Sequence, residues 1–168
     1  MKKDVMKEHV VQMLQERGVS LDDIAELSWQ LQAPYNNELT KQECRESVER
    51  VLEKREILYP VLTGLVIDKL AEEGKLPEPL LSVICRDEGL YGVDELLGLG
   101  ITNIYGSVGL TSFGYLDKMK NGILGKMNQT QKNGGRVTTF LDDIVAALAA
   151  AASARLAHRG KAKKEQVM

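Results

Sequence analysis

Histidine and cysteine are nearly absent from the sequence, and both absences exclude kinds of site. The chain has two histidines, His9 near its start and His158 near its end, so neither a histidine-rich zinc or iron site nor a Ser-His-Asp triad is expected. Cys44 and Cys85 are too few and too isolated for a disulfide framework or a cysteine zinc site. This cysteine usage is typical of the reducing cytoplasm, and we predict a cytoplasmic location.

An excess of positive charge and a long, strongly apolar run are also missing. The net charge of −2 gives no general attraction to nucleic acid or to anionic lipid. The uncharged stretch from Leu96 to Leu116 is long enough to span a bilayer, but its five glycines and its hydroxyl side chains make its hydrophobicity marginal. The charged first residues exclude a secretory signal. We therefore predict one soluble domain over residues 1–168, with a basic, frayed tail at 159–168.

Alternation of polar and apolar residues with a period of two is missing as well, so strands are not expected. Helix signals recur instead. Ser20 with Asp23 and Thr40 with Glu43 form capping boxes, and Pro60 suits the first turn of an apolar helix. The predicted helices cover residues 3–16, 21–31, 40–55, 61–71, 77–85, 93–105, 113–128 and 138–158, with a loop at 129–136.

The last predicted helix is expected to lie at the centre of the fold. It begins at Thr138 or Thr139, either of which can cap it, and from Ile144 onward it carries small residues around most of its circumference. The sequence thus predicts an all-α, single-domain helical bundle with a central Ala-rich helix surrounded by the others. The helix at 93–105 is also expected to be buried, and its glycine-rich faces predict a homo-oligomer. Its glycines, which would let neighbouring backbones approach closely, are Gly98, Gly100 and Gly106.

Three pairs of acidic residues lie beside apolar sequence. They are Asp87-Glu88, Asp94-Glu95 and Asp142-Asp143. Carboxylates next to buried apolar surface lose hydration and need hydrogen bonds, cations or a metal. Adjacent helical residues point about 100° apart, so at most one of each pair faces a given neighbouring helix. If the pairs converge, their oxygens suit Mg²⁺. If they do not, the positive end of a helix dipole explains Asp142-Asp143.

Two further motifs favour other functions, but less well. Residues 18–25 resemble the opening of a helix-turn-helix unit, yet the neighbouring segments are at least as acidic as they are basic and offer no set of groove-reading side chains. A DNA-binding regulator is therefore a minor alternative. Cys44 and Arg50 have the spacing of a cysteine phosphatase motif, but both lie inside a predicted helix with no glycine between them. Core packing of Cys44 explains that spacing better.

Three blocks in the second half of the chain resemble the phosphatidylglycerophosphatase A family, in the soluble-looking branch known from low-temperature-requirement and uncharacterised bacillus-type proteins. They occur in the family's order and approximate spacing, and the first 60 residues look like that branch only. The family's membrane enzymes usually have tryptophan at Val93, proline at Asn121, a glycine- and proline-rich N-terminal segment and true membrane spans. The blocks are Asp87-Glu88-Gly89 with Val93-Asp94-Glu95-Leu96-Leu97-Gly98 and Ile101-Thr102; Phe113 with Leu116-Asp117 and Lys120; and Gly134-Gly135 with Phe140-Leu141-Asp142-Asp143-Ile144-Val145-Ala146.

The resemblance implies a Mg²⁺-dependent hydrolase that removes phosphate from phosphatidylglycerophosphate and so makes phosphatidylglycerol. In this interpretation Lys120 pairs with a phosphate oxygen, Asp117 holds that lysine or joins the metal, and Glu95 acts as general base. A phospholipid substrate is compatible with peripheral contact with a membrane. The alternative is a non-catalytic helical protein that keeps its acids for folding, for ligand binding or for interaction. The predicted Mg²⁺ ligands are Asp87, Asp94, Glu95, Asp142 and Asp143.

Overall fold

The computed structural model describes residues 3–165, and their side chains as far as residue 159. Within these residues the chain forms nine α-helices and one short 3₁₀ turn, Ala33–Tyr35, and no strand. The predicted all-α bundle is therefore confirmed. The helices are α1 (Lys3–Glu16), α2 (Leu21–Gln32), α3 (Lys41–Val51), α4 (Arg55–Glu72), α5 (Leu80–Cys85), α6 (Val93–Asn103), α7 (Gly106–Met119), α8 (Ile123–Lys132) and α9 (Leu141–Glu165).

The alanine-rich helix α9 lies at the centre of the bundle, as predicted. Every residue from 137 to 154 is buried, and α2, α3, α6 and α7 pack around the helix. Polar contacts fix its middle: Ser47 Oγ donates to the carbonyl of Ala152 at 3.0 Å, and Gln32 Nε2 donates to Ser153 Oγ at 2.9 Å. Because seven of the eleven side chains from Ile144 to Ala154 are methyl groups, the neighbours of α9 approach it closely along this segment.

The two capping boxes predicted from the sequence are present. Ser20 Oγ accepts a hydrogen bond from the amide of Asp23, and the Asp23 carboxylate accepts one from the amide of Ser20 at 2.8 Å. Thr40 and Glu43 make the same reciprocal pair at the start of α3. Each box satisfies amides that have no partner inside their own helix, so α2 and α3 begin where the sequence indicates.

The junction between α3 and α4 differs from the prediction. Arg55 begins α4 instead of continuing α3, and Pro60 lies in the interior of α4 instead of in its first turn. A proline there removes one helical hydrogen bond and crowds the preceding turn. The helix nevertheless continues across it because Ile57 and Leu58 are fully buried, and their amides donate to the carbonyl of Lys54.

The helix predicted at 113–128 is two helices, α7 and α8. They are separated because Lys120 and Gly122 adopt positive φ angles of 48° and 58°. The loop predicted at 129–136 starts only after Lys132, since α8 continues to that residue.

The tail predicted to be frayed at 159–168 differs from the prediction. Helix α9 runs past His158 to Glu165, so the tail is helical as far as the structure describes it. Residues 166–168 lie outside the described part.

Helices α6 and α7 form an antiparallel hairpin. A Cβ atom on Gly98 would lie 2.5 Å from Cζ of Phe113, and one on Gly109 would lie 2.8 Å from the carbonyl oxygen of Thr102. Residues near the start of α6 therefore face residues near the end of α7. Contrary to the prediction, α6 is only partly buried, since the side chain of Leu96 is 62% exposed.

The three glycines predicted at close approaches differ from one another. Gly98 packs against Phe113, although it meets a ring and not a backbone. A Cβ on Gly100 would meet no atom within 4 Å among the described residues, and Gly106 instead supplies a positive φ of 71° at the start of α7. In the described part, no helix combines the length and the apolar character needed to cross a membrane.

Candidate functional site

The buried start of α9 fixes the positions of Asp142 and Asp143. Its first amides are capped by a side chain from another helix: the carboxylate of Asp68, on α4, accepts hydrogen bonds from the amides of Phe140 (3.1 and 3.2 Å) and Leu141 (2.8 Å). Asp68 is fully buried, and burial raises its pKa to about 7 against the effect of these two amides. The sequence-based prediction did not include this residue.

The predicted threonine cap of α9 is wrong. Thr139 Oγ1 donates instead to the carbonyl of Ile84 at 2.7 Å, at the end of α5. The amide and the hydroxyl of Thr138 both donate to Gln131 Oε1 on α8, each at 2.7 Å. Both hydroxyls therefore link α5 and α8 to the segment that leads into α9. The amides at the start of α9 are capped by Asp68 instead.

Lys120 lies between two carboxylates. Its Nζ donates to Asp117 Oδ1 and to Asp142 Oδ2, both at 2.7 Å. Burial on its own would lower the pKa of Lys120, but the charges and hydrogen bonds of Asp142 and Asp117 outweigh it and raise that pKa overall. The backbone of Lys120 is left-handed, a conformation that a non-glycine residue adopts at an energetic cost of about 1–3 kcal/mol. The structure thus joins two of the blocks from the sequence, one at the end of α7 and one at the start of α9.

The two adjacent aspartates of α9 have different surroundings. Burial raises the pKa of Asp142 to about 6, although Lys120 acts in the opposite direction. Burial and the neighbouring Asp142 raise the pKa of Asp143 further, to about 9, and the carboxylates of Asp117 and Asp94 add to this effect. Asp143 is 3% exposed. Because the described residues compensate a negative charge here poorly, the folded protein holds Asp143 in its protonated form at neutral pH.

Asp94 lies in the first turn of α6, with its carboxylate turned inward. Its Oδ1 atom is buried and has no hydrogen-bond partner among the described residues. Burial raises the pKa of Asp94, and the nearby charges of Asp87 and Glu95 raise it as well, while its own amide and that of Glu95 lower it. Asp87, which is exposed and has a positive φ of 50°, also raises the pKa of Asp142.

The structure thus brings most of the predicted site residues to one end of the bundle. Asp94, Asp117, Asp142 and Asp143 interact electrostatically with one another or through Lys120, and Asp87 lies at the edge of the group. Glu95 is exposed beside Asp94 and is connected to the group only through its effect on that residue. We call Asp87, Asp94, Asp117, Lys120, Asp142 and Asp143 the acidic cluster.

The oxygen ligands of the acidic cluster fit a hard divalent cation. Within the described residues no three acidic, histidine or cysteine side chains are close enough to hold a metal by themselves, and Asp142 is already paired with Lys120. Mg²⁺, however, is usually held by one or two carboxylates together with water and substrate phosphate. Such an ion would give the unpartnered oxygen of Asp94 a partner and would compensate the charge that Asp143 gains on losing its proton.

Asp68 is the residue of this region that the sequence analysis missed. A signal was present: Asp68 continues the buried face of α4, three residues after Leu65 and three before Ala71, both of which lie in the core. A single acid at an inward-facing position of an apolar helix requires a partner, because an unpaired buried charge is strongly unfavourable. Its partners, amides 72 and 73 residues further along, are not indicated by the local sequence.

These features define a class of protein: an all-α bundle whose central helix begins in a cluster of carboxylates around one partly buried lysine. The chain belongs to the phosphatidylglycerophosphatase A family, whose sequence profile matches residues 11–158. This finding confirms the resemblance seen in the three sequence blocks.

Similar proteins have been found in several bacteria. An uncharacterised protein of Bacillus subtilis (strain 168), YpjQ, is 53% identical over 161 residues, which are 94% of this chain and 89% of that protein. The low temperature requirement C protein from Listeria monocytogenes has a crystal structure, and its sequence is 52% identical to this one. The two structures superpose with a TM-score of 0.91 over 95% of this chain and 99% of that one. A protein of unknown function from Bacillus stearothermophilus is 56% identical, with a TM-score of 0.87 over 91% and 94% of the two chains.

Proposed function

We propose that the chain is a Mg²⁺-dependent phosphatase that hydrolyses phosphatidylglycerophosphate to phosphatidylglycerol and inorganic phosphate. The family suggests this class of reaction. The observation that carries the proposal is the ion pair of Lys120 with Asp117 and Asp142, beside two carboxyl groups, Asp94 and Asp143, whose pKa values are raised by burial and by neighbouring acids. A partly buried ammonium group next to oxygen ligands is a suitable environment for a phosphate dianion and a divalent cation.

Lys120 has the role of binding a phosphate oxygen. Its two partners keep the ammonium group charged, since together they raise its pKa, and hold it in one position. A donor that is already oriented loses little freedom when the substrate binds, so its interaction with the phosphate is available to the transition state. In this proposal Asp142 and Asp117 act on the phosphate through Lys120.

Asp94 and Asp143 are the residues that would hold Mg²⁺, with Asp87 at the edge of the site. When bound, the ion supplies neutralisation of the phosphoryl charge and orientation of the attacking water. Glu95, which is exposed next to Asp94, takes the proton of that water as general base. The water oxygen adds to phosphorus, the bond from phosphorus to the lipid oxygen breaks, and the leaving lipid oxygen takes up a proton from solvent, to which Glu95 returns the proton that it removed.

Apolar side chains beside the acidic cluster support a lipid as the substrate. Leu90, Val93 and Leu96 are exposed around the first turn of α6, and Met119 is exposed next to Lys120. Because α6 and α7 are antiparallel, Val93 and Met119 lie at the same end of the hairpin. We propose that these four side chains, which we call the apolar rim, contact the acyl chains or the membrane surface while the headgroup phosphate enters the acidic cluster.

The test is phosphate release by the purified protein. With Mg²⁺ and phosphatidylglycerophosphate in detergent micelles, we expect the wild type to release phosphate and Asp142→Asn to lose at least a hundredfold in rate, because Lys120 loses a charged partner. Asp22→Asn is the matched control, since Asp22 also lies in the first turn of a helix but is exposed and far along the chain from the acidic cluster. Equal background rates for wild type and Asp142→Asn would show that the proposal is wrong.

One observation favours a second candidate, a non-catalytic helical protein. The ion pair of Lys120 and Asp142 already compensates part of the buried charge, so the acidic cluster also has a purely structural explanation. This candidate predicts that Mg²⁺ leaves the melting temperature unchanged and that Asp94→Asn and Asp142→Asn only lower stability. The phosphatase predicts that Mg²⁺ raises the melting temperature of the wild type and that Asp94→Asn weakens this effect.

A further inference from the structure

A buried carboxylate outside the acidic cluster holds the start of the central helix. Helix N-termini have amides without intrahelical partners, and a residue at the cap position normally satisfies them. Here the partner is Asp68, fully buried on α4, which accepts from Phe140 and Leu141 with distances between 2.8 and 3.2 Å. Asp142 and Asp143 follow directly, so the position of the first turn of α9 determines where both carboxylates lie.

The contacts around Asp68 allow little movement of this turn. One helical turn before it, Gly64 lies so close to α9 that a Cβ atom would be 3.0 Å from Cβ of Phe140. The ring of Phe140 packs edge-on against Tyr91, with ring centres 6.0 Å apart and an interplanar angle of 82°. Tyr91 stands between Asp87 and Asp94 in the chain, so α4, the start of α9 and the segment that carries these two acids meet at Phe140.

We propose that Asp68 is a positioning residue for the hydrolysis: it fixes the first turn of α9 so that Asp142 reaches Lys120 and Asp143 faces the remaining carboxylates. The inference rests on the proposed function, but it concerns a residue that touches neither phosphate nor metal. A displacement of the catalytic groups by about 1 Å can lower a rate a hundredfold. Loss of the carboxylate also leaves two buried amides without a partner, which favours such a displacement.

The test compares three variants with the wild type at a temperature at which all are folded. Asp68→Ala removes both acceptor oxygens, whereas Asp68→Asn keeps one. Thr40→Ala is the matched control, because it removes the cap of α3, which lies outside the acidic cluster. We expect Asp68→Ala to lower kcat by about ten- to a hundredfold with little change in KM, Asp68→Asn to recover part of this loss, and Thr40→Ala to keep the wild-type kcat.

Amide hydrogen exchange, measured without substrate or metal, gives a second readout. Asp68→Ala is expected to increase exchange at residues 140–143 by at least tenfold, and Thr40→Ala is expected to leave these amides unchanged. A wild-type kcat in Asp68→Ala, or an unchanged exchange rate at these residues, would overturn the inference. If the wild type itself releases no phosphate, the proposed function fails, and the exchange data alone decide whether Asp68 holds this turn.

Discussion

Asp143 shows most directly how the local environment of one residue links stability to function. It is 3% exposed, and burial together with Asp142 raises its pKa to about 9 from an ordinary value of about 3.9. The folded state therefore binds a proton at Asp143 more tightly than the unfolded state does. Between about pH 4 and pH 9 the unfolded chain is ionised at this residue while the folded protein prefers to be protonated, so stability falls as the pH rises through this window.

We expect the melting temperature of the wild type, without Mg²⁺, to decrease from pH 5 to pH 9. The raised pKa values of Asp68 (about 7) and Asp142 (about 6) act in the same direction over narrower windows. At pH 8 the wild type must take up a proton at Asp143 when it folds, and Asp143→Asn removes this cost, so the variant should melt above the wild type. A gain of about 1 kcal/mol corresponds to about 2–4 °C for a chain of this size. Thermal unfolding followed by circular dichroism measures both effects.

The control is Glu38→Gln, which removes one negative charge from an exposed loop position. It should follow the wild type at every pH. A wild-type melting temperature that stays constant or increases from pH 5 to pH 9 would contradict the assignment of Asp143 as a buried, poorly neutralised acid. A more stable but inactive Asp143→Asn would show that the residue is kept for function at the expense of stability.

At the scale of helices, the sequence predicts well what is determined locally. Both capping boxes are correct because each joins residues three positions apart. The prediction that Pro60 lies in the first turn of a helix is wrong because burial of Ile57 and Leu58, a tertiary effect, extends α4 across the proline. The cap of α9 was wrongly assigned for the same kind of reason, since Asp68 reaches it from another helix. The pairing of Lys120 with Asp142, 22 residues apart, was not predicted, because the resemblance to a family implied only Asp117 as a partner of this lysine.

The packing of α4 on α9 leads to a prediction about one glycine. In Gly64→Ala, the new Cβ would lie 2.5 Å from Cδ1 of Ile144 and 3.0 Å from Cβ of Phe140. The Ile144 side chain can move, but a Cβ atom moves only with its backbone. Overpacking of this kind costs about 1–3 kcal/mol, which exceeds the gain of about 1 kcal/mol from replacing glycine inside a helix. We expect a lower free energy of unfolding, measured by urea denaturation.

Gly114→Ala is the matched control for this substitution. Gly114 is an exposed position of α7, and a Cβ there would meet no atom of the described residues within 4 Å. Only the helix propensity changes, so this variant should gain about 0.5–1 kcal/mol. If both variants are stabilised, the close approach of α4 to α9 does not exist in solution. If both are destabilised, Gly114 packs closely against atoms that lie outside the described residues.

For the molecule as a whole, the hairpin of α6 and α7 presents an unusual surface. It contains the uncharged stretch from Leu96 to Leu116, and this stretch is only partly buried. The sequence predicted that such glycine-rich faces make a homo-oligomer, and that remains a prediction. In the proposed function, the apolar rim next to the acidic cluster would contact a membrane surface, because the headgroup phosphate would have to reach Lys120 while the acyl chains stay in an apolar environment.

We therefore expect the protein to bind phospholipid vesicles through the apolar rim. Each leucine side chain transferred from water contributes about 1.5–3 kcal/mol, so replacing Leu90 and Leu96 together by serine should weaken vesicle binding at least tenfold in a flotation assay. Tyr35→Ser is the control, since the exposure of Tyr35 lies between those of Leu96 and Leu90 and this residue is on the 3₁₀ turn, outside the hairpin. The double variant should still hydrolyse a short-chain, micellar substrate, because no residue of the acidic cluster is changed. Equal vesicle binding by the wild type and the double variant would show that the apolar rim does not contact the membrane. Concentration-dependent self-association of the wild type that the two serines abolish would show that this surface binds a second copy of the chain instead.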